Sequence, residues 1–222
     1  MYSQHREKLF SLFDDNQNGV VFIQGKEIMY RYGTDYEFPF RQESNFWYLT
    51  GVNEPDCAML LDLNKEEYHL FVPERDAQYA VCHGYVKTKE QYQQEYQPDH
   101  LHSQNDILTV LNKLKPELVY CIDDEQAEFI EDLNRDFTVD TDSLNDALTY
   151  CRVIKTDGEL DLMREACRVN DLAYLEVMKA IKPGMHEYEL KAVFNKVQIE
   201  NGLMQDAYNG IFASGKNASI LH

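Results

Sequence analysis

Four short apolar runs set the limits on what this chain can fold into. They are Val20-Val21-Phe22-Ile23, Ala58-Met59-Leu60-Leu61, Tyr68-His69-Leu70-Phe71-Val72 and Leu118-Val119-Tyr120-Cys121-Ile122. Runs this short, rich in aliphatic and aromatic side chains and bounded by polar residues, read as buried strands. The Asn64-Lys65-Glu66 turn between the second and third predicts a hairpin. Phe46-Trp47-Tyr48-Leu49 and Phe137-Thr138-Val139 are expected as further strands, and Asp14-Asp15-Asn16-Gln17-Asn18-Gly19 as a loop. Helices are expected over 4–13, with Leu9, Phe10, Leu12 and Phe13 on the apolar side, over 105–114 and over 125–133. Strands alternating with helices imply a layered α/β domain.

Charge divides the 222 residues unevenly. Residues 1–150 carry 12 Lys and Arg against 29 Asp and Glu, leaving −17 of the total −18, whereas 151–222 is close to neutral. That break predicts a domain boundary near residue 150. An acidic first domain repels phosphates and argues against a nucleic-acid partner. No run of 18 apolar residues is present to span a membrane, and Met1-Tyr2-Ser3-Gln4-His5-Arg6 lacks the apolar core of a secretory signal. Five scattered cysteines with no Cys-x-x-Cys pair suit reduced thiols in the cytoplasm. Cys57, Cys121, Cys151 and Cys167, set among apolar neighbours, are expected as small core side chains.

Beyond the boundary the helical pattern is explicit. Thr156 followed by Glu159 forms a capping box, so a helix is expected to start near Asp157 and to stop at Pro183-Gly184. Leu160, Met163, Cys167, Tyr174, Val177 and Ile181 form its apolar stripe. A second helix is expected from Glu187 to Asn201, with Leu190, Val193, Phe194 and Val197 inward and Gly202 ending it. Glu187 and Glu189 favour its positive N-terminal end. Ile211-Phe212-Ala213 then reads as a buried strand broken by Ser214-Gly215, with Asn217, Ser219 and His222 following. These last residues suit either an active-site approach, with His222 donating to a developing oxyanion, or a solvent-facing strand edge.

Other constellations read more simply as structure. His100 and His102 share a face of any strand and form a possible metal pair, but Ser103-Gln104-Asn105-Asp106 reads as loop and the metal reading is set aside. Asp123-Asp124-Glu125 and Asp140-Thr141-Asp142 lack calcium-loop spacing and read as turns or helix caps. His83 has no nucleophile motif beside it.

Three motif blocks carry a family resemblance. Tyr208-x-x-Ile211-x-x-Ser214-Gly215-x-Asn217-x-x-x-x-His222 resembles the opening of the catalytic domain in Xaa-Pro peptidases, which have the pita-bread (creatinase) fold. Arg152 to Lys155, with Thr156-Asp157-Gly158-Glu159-Leu160 and Met163-Arg164, is similar to that family's interdomain linker and first catalytic-domain helix. Gln24-Gly25, Arg31-Tyr32-x-Thr34-Asp35, Phe40-Arg41-Gln42-Glu43-Ser44, Gly51-Val52, Glu54-Pro55 and Phe71-Val72-Pro73 resemble the prolidase N-terminal domain.

The resemblance implies an α/β protein: a creatinase-type mixed-sheet domain over 1–150, then the start of a pita-bread catalytic domain over 151–222. It implies cleavage before proline in an Xaa-Pro dipeptide or short peptide, two manganese ions in the complete enzyme, and a cytoplasmic homodimer. Tyr208 matches a wall of the substrate pocket, and His222 a residue near the substrate carbonyl or carboxylate. No residue matches the family's five metal ligands. The chain is therefore expected to be a fragment that binds no ion pair and hydrolyses nothing alone. The Arg41-Gln42-Glu43-Ser44 block is expected to be structural, near a subunit interface. Cys82 aligns where the family can place a lid aromatic, so that lid is not expected here. The alternative is a metal-free module of the same fold that binds basic partners.

Overall fold

The computed structural model describes residues 1–13 and 18–221, so the expected loop at 14–19 lies largely outside the described residues. Two compact units divide the chain, Met1–Ile154 and Lys155–His222.

Among the described residues the first unit has six strands, β1 (Gly19–Gln24), β2 (Ala58–Asp62), β3 (Glu67–Val72), β4 (His100–Ser103), β5 (Leu118–Tyr120) and β6 (Val139–Asp140). Their order in the sheet is β4-β3-β2-β1-β5-β6. β2 pairs antiparallel with β1 and β3, and the remaining pairs are parallel, so the sheet is mixed. The β2–β3 hairpin closes as expected, with Glu66 in the left-handed region at φ 57°. The Asp62 carboxylate caps the turn by accepting from the amides of Asn64 (3.0 Å) and Lys65 (3.3 Å).

Among the described residues this unit has seven α-helices, α1 (Tyr2–Phe10), α2 (Ser44–Thr50), α3 (Ala77–His83), α4 (Lys89–Tyr96), α5 (Ile107–Leu114), α6 (Asp124–Leu133) and α7 (Ser143–Val153). Successive strand residues point to opposite faces, and here both faces are covered. Val21, Ile23, Met59, Leu61 and Leu70 meet Leu9, Phe46 and Leu148 on one side. Val20, Phe22, Leu60 and Phe71 meet Val110, Leu111 and Ile130 on the other. Each such side chain contributes about 1.5–3 kcal/mol by leaving water.

Phe46-Trp47-Tyr48-Leu49 is helix α2, not a strand. Glu43 caps it, its carboxylate accepting from the Phe46 amide at 2.5 Å, and Gly51 ends it at φ 75°. A Cβ on Gly51 would sit 2.4 Å from the Tyr2 ring, so the same glycine lets α1 seat against α2. α1 stops at Phe10, before the expected end of that helix at residue 13. The ends of the unit are joined: the Lys8 ammonium donates to the Cys151 (2.5 Å) and Ile154 (3.0 Å) carbonyls, and the Tyr48 hydroxyl donates to Cys151 O (3.2 Å). Arg152 donates to Asn45 Oδ1 at 2.7 Å. Asp123 caps α6, and Asp140 accepts from the Asp142 and Ser143 amides, so both acidic clusters are caps and turns.

The second unit contains α8 (Asp157–Ala180) and α9 (Glu187–Glu200). The Thr156–Glu159 capping box forms as read. Only Val169 and Ala173 of α8 are fully buried, whereas Met163, Cys167, Tyr174 and Ile181 of the expected stripe are exposed. Ile211-Phe212-Ala213 is not a strand, because among the described residues no neighbouring strand pairs with it. No helix among the described residues is long and apolar enough to cross a membrane.

Candidate functional site

The expected site segment is held by one carboxylate. Gly184, at φ 92°, turns the chain out of α8, and Glu187 falls in the first turn of α9. Its Oε1 accepts from the Ser214 amide (2.7 Å), the Ser214 hydroxyl (3.2 Å) and the Asn217 side-chain amide (3.0 Å). The Asn217 bond, followed by the Ser214 bonds, holds the Glu187 carboxyl below its usual range. Gly215 takes φ 54°, and residues Gly215–Ser219 wind into a 3₁₀ turn. Aromatic edges support the segment from below: Phe212 meets Phe194 at 5.7 Å, and Phe194 meets Tyr174 at 5.5 Å, both near perpendicular.

Ser214, Asn217 and Glu187 are thus brought together. Tyr208 is 79% exposed on the same segment, and His222 lies outside the described residues. The sequence reading assigned Glu187 only to the helix dipole. Its role as anchor crosses 27 residues, and no local spacing rule reaches that far.

The prolidase-like block of the first unit converges on a buried amide. Gln42 Oε1 accepts from the Lys26 (2.7 Å) and Glu43 (2.9 Å) amides, while Nε2 donates to Glu54 O (2.9 Å). Gly25 lies against it, since a Cβ there would come within 2.9 Å of Gln42 and of Cys57 O. Gly25, Lys26, Gln42, Glu43 and Glu54 are therefore tied together, which gives Gln42 and Glu43 a structural role.

A surface cleft of about 240 Å³ opens beside them, lined by Glu54, Arg75, Tyr79, His83, Lys87 and Tyr92 among others. Its charges are paired. Lys87 Nζ lies 2.6 Å from Glu54 and 2.5 Å from Glu95, Arg75 pairs with Asp56, and the Tyr96 hydroxyl donates to Glu54 at 2.8 Å. Burial opposes the Lys87 charge, but its two carboxylate partners outweigh that and hold the ammonium above its usual range. Burial and Glu54 push the Tyr96 phenol up. His83 Nδ1 is 3.3 Å from Glu37 Oε1, and Cys82 is exposed. Such a network fixes geometry.

Among the described residues, one group of three His, Cys, Asp or Glu donors converges closely enough for an ion. It is Glu67, His69 and His100, in the first unit. His100 and His102 share a face of an edge strand, β4, and the loop expected from Ser103 is that strand's last residue followed by a 3₁₀ turn over Gln104–Asp106.

Comparison with known proteins gives consistent matches. Residues 2–120 match the aminopeptidase P N-terminal domain, and residues 161–222 match metallopeptidase family M24. The Xaa-Pro dipeptidases of Pongo abelii and Homo sapiens are 33% and 32% identical, each aligned over all of this chain and 48% of their own length. A probable Xaa-Pro aminopeptidase of Penicillium rubens is 30% identical, over 92% of this chain and 41% of its own. The chain thus spans about half the length of these relatives. Pseudomonas aeruginosa aminopeptidase PepP superposes on the whole chain with a TM-score of 0.88 at 26% identity, covering 53% of that structure. Zinc-substituted Escherichia coli aminopeptidase P in complex with product gives 0.86 at 24% identity and 54% coverage.

Proposed function

The chain belongs to the prolidase and aminopeptidase P family of Xaa-Pro metallopeptidases, and we propose that it supplies the N-terminal domain (1–150) and the first part of the catalytic domain (151–222) of a peptidase acting before proline. Tyr208 forms a wall of the substrate pocket, and His222 donates to the substrate carbonyl or carboxylate. Glu187 is a positioning residue that holds the segment carrying both. Proline's amide nitrogen bears no hydrogen, so recognition rests on a shaped pocket. The observation that carries this reading is the family match along the whole chain at about one-third identity.

In the family two divalent ions, usually manganese, activate the attacking hydroxide. None of the family's five ligands has a match in this sequence, so the centre is assigned to the rest of the enzyme. No hydrolytic step is therefore assigned to this chain, which acts as part of a longer, homodimeric cytoplasmic enzyme. Five free cysteines support a reducing compartment. The purified 222-residue chain is expected to leave Gly-Pro intact with added manganese, and turnover would refute this. Transcript sequencing tests the remainder: coding sequence for the five ligands downstream of His222 supports the peptidase, and an immediate stop codon opposes it.

The surplus of acidic residues in 1–150 favours a second reading, a metal-free module for basic partners. Capture of basic proteins that survives moderate salt would favour it over the first.

A further inference from the structure

β3 and β4 run parallel at one edge of the sheet, and their register sets His69 beside His100 and Phe71 beside His102. Residues two apart on a strand share a face, so Glu67, His69, His100 and His102 gather on one side of this edge. The His69 ring centroid lies 4.5 Å from that of His100 and 5.3 Å from that of His102. Glu67 Oε2 is 3.3 Å from His100 Nε2. One donor atom each from Glu67, His69 and His100 falls within 4.8 Å of the other two.

A second observation points to a ligand. His69 is only 5% exposed, and its Nε2 has no hydrogen-bond partner among the described residues. Native structures seldom leave a buried ring nitrogen in that state. Its Nδ1 lies 3.0 Å from His102 Nε2. In the tautomer whose Nδ1–H donates to His102, Nε2 carries a bare lone pair. Metal-ligating histidines commonly have their other ring nitrogen held by just such a hydrogen bond, which fixes tautomer and orientation.

We propose that Glu67, His69 and His100 bind a divalent transition metal of the zinc type, with His102 holding His69 in its ligating tautomer. Two imidazoles and a carboxylate suit zinc, and the nitrogen donors disfavour magnesium or calcium. Ligand bonds of about 2.0–2.2 Å require the three donors to draw inward. Glu67 and His100 can do so, since their side chains are 34% and 45% exposed, while His69 is the fixed anchor. Lys65, 3.7 Å from Glu67 and itself 57% exposed, would turn out to solvent. The bound ion would clip the edge strand β4 to β3.

The test is a Zn²⁺ titration of the chelator-stripped 222-residue chain, read by competition with a chromogenic chelator and by the shift in Tm. Zn²⁺ is expected to bind at one site and raise Tm, and millimolar Mg²⁺ to leave it unchanged. H100Q, on an exposed ring, should weaken binding about tenfold or more and abolish the Tm shift, while H186Q changes neither. H69Q removes the anchor but risks unfolding, so H100Q and E67Q carry the decision. No saturable Zn²⁺ binding, or binding that both variants leave intact, would overturn the proposal.

Discussion

The two units use the same local code and reach different degrees of burial. α5, eight residues long, buries Ile107, Val110 and Leu111 because it lies across a sheet face. α8, three times as long and better capped, fully buries only Val169 and Ala173, while Leu162, Leu172, Leu175 and Met178 are exposed among the described residues. Periodicity and caps are enough to specify a helix. How much of its apolar face leaves water depends on what the rest of the chain sets against it.

This difference can be broken by matched truncations. Phe22→Ala, at a side chain with 0% exposure, should cost about 3–5 kcal/mol, whereas Leu175→Ala, at 51% exposure, should stay within about 0.5 kcal/mol. Urea unfolding midpoints measure both, and equal losses would end the distinction. A smaller effect separates polar anchors. Gln42→Leu strands two amides and a carbonyl and should cost about 1–3 kcal/mol, against about 1 kcal/mol for loss of the α8 cap in Thr156→Ala. The smallest effect is local. Glu187→Ala should leave the unfolding midpoint unchanged while the Ser214 amide loses its protection from hydrogen exchange, since that bond is exposed. Unchanged protection would mean that the segment is held by its aromatic contacts alone.

Much of the fold was legible where one signal ruled. β1, β2, β3 and β5 were plain as apolar runs, and α8 as a capped periodic stretch. The Phe46 to Leu49 run misled because an all-apolar tetrad has no period. Glu43 at one end and Gly51 at the other decide for helix, and neither lies inside the run. α4 was missed because Tyr92 is its sole buried side chain, and α3 because it buries none. β4 escaped because an edge strand of histidines has no apolar alternation. The site was less legible than the fold. Gln42 as a hub, Glu187 as an anchor and the meeting of Glu67 and His69 with His100 are contacts between distant segments, which spacing does not encode.

The Lys8 grip on the last carbonyls of α7 has a consequence for biosynthesis. Its partners stand 143 and 146 residues downstream. At roughly 5–20 residues per second, the ribosome needs about 7–30 s to deliver them. Leu9 and Phe10 share their core with Leu144 and Leu148 of α7, so that flank of the core cannot close until the interval has passed.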